Sequence, residues 1–74
     1  MNKKYYYFVA TIDIGTAISL YSGTCETSDD DFPLMYIRKR IAKQLNVPTK
    51  KVVISFYNEI TETSYKAYND EQQD

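Results

Sequence analysis

A chain of 74 residues with 43% hydrophobic content and a net charge of −1 is long enough for one small domain and too apolar to remain unfolded. A single cysteine rules out an internal disulfide, and one cysteine with no histidine rules out the usual structural zinc sets. A domain this small buries only about 60% of the surface its unfolded chain exposes. Self-association is therefore the common stabilising device still open to it.

The first apolar stretch, Tyr5 to Ile14, reads as the central strand of a small sheet. Tyr6, Phe8, Ala10, Ile12 and Ile14 share one parity and are assigned to the core. Tyr5, Tyr7, Val9, Thr11 and Asp13 share the other. Gly15 supplies the turn, with Ile14 to Ala17 as a hairpin tip. The second strand runs from about Ala17 to Cys25. Ile18 and Leu20 are expected to face the core and Tyr21 the opposite side, with a bulge or the end of pairing at Ser22-Gly23.

Asp29, Asp30 and Asp31 form an acidic loop before Pro33, which suits a first helical position. Leu34, Ile37, Ile41 and Leu45 follow at helical spacing, and Asn46 and Pro48 stop the pattern. The helix is placed at about residues 33–45. A third strand starts near Lys51, with Val52, Ile54, Phe56 and Ile60 on the core parity and Val53 and Tyr57 on the other. Residues 1–63 make one domain. Residues 64–74 are polar and acidic and are expected to be a disordered tail.

The element order is ββαβ. A hairpin followed by a helical crossover gives a two-layer α+β fold, a three-stranded antiparallel sheet of order 2-1-3 with one helix on one face. There is no internal repeat.

Little here favours catalysis. No histidine is present for acid–base work, and Cys25 lacks a base to activate it. Cys25 reads as a buried structural thiol. The three aspartates lack the alternating ligand pattern of a calcium loop and read as solvated charge. The two glycines make no phosphate loop. The expectation is a non-enzymatic protein with no metal or cofactor.

Two surfaces remain as candidates. The first is the sheet face that one helix cannot cover, carrying Tyr5, Tyr7, Val9, Tyr21, Val53 and Tyr57. A patch of this kind suits a second copy or another protein. The plainer alternative is cover by the tail, with Tyr65 or Tyr68 packing back. Pairing through a sheet edge is a further route to a dimer. The second surface is the outer side of the helix. Tyr36, Lys39, Arg40 and Lys43, followed by Lys50 and Lys51, could bind phosphates. Arg38 sits at the edge of the apolar stripe, where its stem can cover the core. A solvated basic face balanced by the acidic segments is the plainer reading. Nucleic-acid binding ranks below protein interaction, because nucleic-acid-binding domains usually carry a net basic excess. No stretch is long and apolar enough for a membrane helix, and the tyrosine-rich start makes a poor signal peptide, so a cytoplasmic protein is expected.

Overall fold

A computed structural model describes residues 3–73, and side-chain surroundings from Lys3 to Asn69. The elements are β1 (Lys4–Asp13), β2 (Ile18–Thr27), α1 (Leu34–Leu45), a 3-10 turn (Thr49–Lys51), β3 (Val52–Ile60) and α2 (Glu62–Gln73). The strands form one antiparallel sheet in the order β2-β1-β3. The most apolar strand is central, and α1 packs on one face, as the parity and crossover argument requires.

The hairpin closes through local hydrogen bonds. The Ile14 N–H donates to the Ala17 carbonyl at 3.1 Å, and the Gly15 N–H donates to Asp13 Oδ1 at 2.9 Å. Gly15 has a φ of 90°, a region that side chains disfavour. This four-residue loop sets Asp13 opposite Ile18, and the register then runs without interruption to Lys4 opposite Thr27. Pairing does not end at Ser22-Gly23. Gly23 faces Phe8, and a Cβ there would lie 3.2 Å from the Phe8 ring. The glycine makes room for the ring without breaking the strand.

The irregularity lies on the other side of β1. Ala10 pairs with Ile54 and Val9 with Phe56, so Ser55 is the extra residue of a bulge. The Ser55 hydroxyl donates to the Val9 carbonyl at 3.1 Å. Beyond the bulge the alternation of β3 is inverted.

The core lies between the sheet and α1. It comprises Tyr6, Phe8, Ala10 and Ile12 of β1, Cys25 of β2 and Val52 of β3. Phe32 and the helical residues Ile37, Ile41 and Ala42 close it from above. Leu34 and Leu45 complete the helical stripe on paper but sit at the helix ends, half-exposed. Pro33 precedes α1, and its carbonyl accepts from the Ile37 N–H at 3.0 Å. At the other end Asn46 takes the left-handed conformation. Its N–H and that of Val47 donate back to the Lys43 and Ala42 carbonyls, a glycine-type termination made by asparagine.

The segment expected to be a disordered tail is a helix as far as Gln73, and Asp74 lies outside the described residues. Thr61 starts α2: its Oγ1 accepts from the Ser64 N–H at 3.1 Å, and its carbonyl accepts from the Tyr65 N–H at 2.9 Å. Twelve residues alone make a marginal helix in water. This one is held because Tyr65, Tyr68 and Asn69, one turn apart, meet the outer face of the sheet. The result is a partial third layer over one end of a two-layer fold.

Candidate interaction site

Tyr5 and Tyr7 point to the face away from α1, as the parity of β1 predicts. Neither is free. The Tyr5 and Tyr65 rings lie 4.8 Å apart, and Tyr7 stacks on Tyr68 at 5.3 Å with 24° between planes. The Thr24 hydroxyl donates to Asn69 Oδ1 at 3.0 Å. The alternative of cover by the C-terminal segment is therefore the arrangement at this end of the sheet.

Two of the six residues assigned to the open face lie on the other one. Tyr21 pairs with the core residue Ala10, and its ring stacks near Phe8 at 6.3 Å. Tyr57 pairs with Phe8 and lies 4.5 Å from the Phe32 ring at 11° between planes. Phe32 also meets Tyr6 at 5.4 Å and Phe8 at 6.0 Å, which makes it the hub of an aromatic cluster that closes the core beside α1. Paired residues of antiparallel strands share a face, so the register dictates both placements. Tyr57 crosses over because Ser55 is an extra residue.

The same two causes bring Ile18, Leu20 and Phe56 to the outer face, although parity alone points them to the core. Across that face Leu20 is opposite Thr11, which is opposite Val53. Val9 is opposite Phe56. The relative exposures are 69% for Ile18, 73% for Leu20, 54% for Val53 and 52% for Phe56, far above a core value. Val9 is half-buried at the centre. The outer face thus has two halves. A tyrosine half is roofed by α2, and an apolar half around Val9 has no cover among the described residues. Hairpin arithmetic is the sequence signal for Ile18. A loop of residues 14–17 sets it opposite Asp13, whose own parity is outward.

The basic residues divide by role. The Arg38 Nε donates to the Val52 carbonyl at 2.8 Å and an Nη donates to the Thr49 carbonyl at 3.2 Å, so this guanidinium ties α1 to the start of β3. Lys51 lies 3.8 Å from the Asp13 carboxylate. Tyr36, Lys39, Arg40, Lys43 and Lys50 are exposed. Tyr36 and Arg40 face the β2 side, where they line a groove of about 730 Å³ along the strand edge.

Among the described residues no cluster of three metal-ligating side chains occurs. Cys25 is buried, and desolvation pushes its thiol above the ordinary value, with the Arg40 charge opposing weakly. Burial likewise pushes the Tyr6 phenol up, with Lys4 opposing. Both groups are held in their protonated, unreactive forms at neutral pH. No described helix is long and apolar enough to cross a membrane.

Comparisons with protein-family models, with curated proteins and with solved structures returned no match. The class that the fold and the surface define is a small α+β domain with a half-roofed sheet.

Proposed function

We propose that this chain is a small, non-enzymatic protein-interaction module that self-associates through the uncovered half of its outer sheet face. The observation that supports the reading is the cluster of Ile18, Leu20, Val53 and Phe56 around Val9, exposed on one face beside α2. Isolated apolar side chains are ordinary on a protein surface, but a contiguous group on a flat sheet is characteristic of an interface. Fully burying one such side chain contributes about 1.5–3 kcal/mol. A two-fold partner would bury each of these residues once on either side.

Sedimentation at micromolar concentration tests the reading. A concentration-dependent dimer is expected, and Leu20→Glu with Phe56→Glu should return it to a folded monomer. A wild-type chain that stays monomeric through the millimolar range would remove the basis for the proposal.

A second reading rests on the exposed Lys39, Arg40 and Lys43 of α1, which make no ion pair among the described residues. They could contact the phosphates of a nucleic acid, with Tyr36 available to stack. Within the set assigned to this surface, Lys51 has an acidic neighbour, Asp13. The reading requires salt-sensitive binding that weakens in Lys39→Glu/Lys43→Glu.

A further inference from the structure

The sheet has a second unsatisfied surface, the backbone edge of β2. Both β2 and β3 are edge strands, and they are treated differently. β3 carries a bulge at Ser55, one of the devices that blunt an edge. β2 has ten residues in unbroken register, with no proline, no lysine and no bulge. Its outward N–H and C=O groups form a ready template for another strand. Over Ser22–Thr27 this edge is the floor of the 730 Å³ groove. Tyr36 and Arg40 of α1 wall it on one side of the sheet, and Tyr65 and Asn69 of α2 on the other.

We propose that the β2 edge is a strand-addition site for one extended peptide segment of a partner protein, with main-chain pairing along Ser22–Thr27 and a peptide carboxylate set against Arg40. Six residues of strand span roughly 20 Å at about 3.3 Å each, enough for main-chain pairing to supply affinity and one or two side-chain contacts to supply selectivity. Arg40 is exposed, has no ion-pair partner among the described residues, and offers a planar fork suited to a carboxylate. Glu26 and Asp29 line the same groove, and Lys3 lies 3.6 Å from the Glu26 carboxylate. The acidic position of the peptide therefore belongs beside Arg40, with neutral residues toward Asp29.

A lone strand fits this edge better than a second copy does. Two β2 strands related by a two-fold axis normal to the sheet would place both α1 helices on the same side of the joined sheet. Arg40, which lines this edge, would then approach its own equivalent, and like charges repel. The groove is also walled on both faces of the sheet, by α1 on one and α2 on the other. This surface is separate from the apolar half of the outer face, so either proposal can fail alone.

The test is an amide NMR titration of the full chain with two synthetic hexapeptides of alternating threonine and valine, one with a central glutamate and the other with a central lysine. The glutamate peptide should shift the amides of Ser22–Thr27 and slow hydrogen exchange at those facing outward. Affinity should fall about tenfold for the lysine peptide, and similarly for the glutamate peptide with Arg40→Glu, as expected for about 1.4 kcal/mol from one charged contact. Arg40 is exposed, and an otherwise unchanged spectrum would verify the fold of that variant. Three results would overturn the proposal: equal binding of the two peptides, shifts confined to Ile18, Leu20 and Phe56, or β2-edge protection that grows with protein concentration when no peptide is present.

Discussion

The two faces of the sheet are covered by helices of equal length and very different grip. α1 presents Ile37, Ile41 and Ala42 to a continuous apolar floor, and Arg38 pins it to the 3-10 turn and β3. α2 presents two tyrosines and an asparagine to two tyrosines and a threonine. The first contact excludes water over the middle of the helix, at Ile37, Ile41 and Ala42. The second joins amphipathic rings at one end of the sheet and stops short of Leu20, Val53 and Phe56. Apolar burial under α1 therefore makes the fold, and contact between tyrosines adds a roof that leaves an exposed apolar patch beside it.

The largest test of this difference is Ile37→Ala. Ile37 is 1% exposed, and truncating a buried isoleucine to alanine costs about 2–5 kcal/mol. A single core in a domain of this size supplies about 3–5 kcal/mol, so the variant is expected to lose most of its cooperative urea transition. Cys25 is a convenient reporter from the same core. Its buried, protonated thiol should resist alkylation in the wild type and react readily in Ile37→Ala. A variant as stable as wild type would show that α1 is not the principal cover.

The contrast also explains which parts of the fold were legible. Strong periodicity marks β1 and α1, because regularly spaced aliphatic residues require a buried face on one element. α2 has no such signal. Its inward residues are Tyr65, Tyr68 and Asn69, amphipathic or polar side chains that read as tail, and its start at Thr61 is a three-residue capping pattern inside a run of Thr-Glu-Thr-Ser. A tertiary contact with Tyr5 and Tyr7 makes the helix, and those partners lie far away in the sequence.

The candidate surface was legible only where parity survives. Tyr5, Tyr7, Val9 and Val53 face outward as their alternation demands. Tyr57 does not, because one extra residue at Ser55 inverts the end of β3. No residue type announces that bulge, since serine is common in strands and turns alike. Ile18 and Leu20 depart from expectation for a different physical reason. Their hydrophobicity favours the core, but the hairpin register fixes their face, and it points them outward.

An intermediate effect is expected from the roof itself. A double-mutant cycle with Tyr7→Ala and Tyr68→Ala should give a coupling of about 0.5–1.5 kcal/mol, the range for an aromatic pair. Tyr68→Ala alone should leave the α1 core cooperative while exposing Tyr7. Binding of a hydrophobic dye should rise, and any dimer should tighten as the open patch widens. Zero coupling would make the ring stacking incidental and shift the hold on α2 to Tyr65 and Asn69.

The smallest and most local test is Thr61→Ala. Only Thr61 separates β3 from α2, so the chain must turn from strand to helix at one residue. The Thr61 Oγ1 satisfies the Ser64 N–H, a donor that would otherwise lack a partner in the first turn. Replacing such a cap by alanine costs typically about 1 kcal/mol. The nearby Glu62–Lys66 pair, 3.1 Å apart and exposed, contributes no more than about 0.3–0.5 kcal/mol and cannot compensate. Because α2 is held at one end of the sheet, this loss should appear as local opening: faster amide exchange along α2, with little change at Ile12, Ile37 or Val52. If the core amides accelerate in step with those of α2, the two faces unfold as one unit, and the second helix is as much a part of the fold as the first.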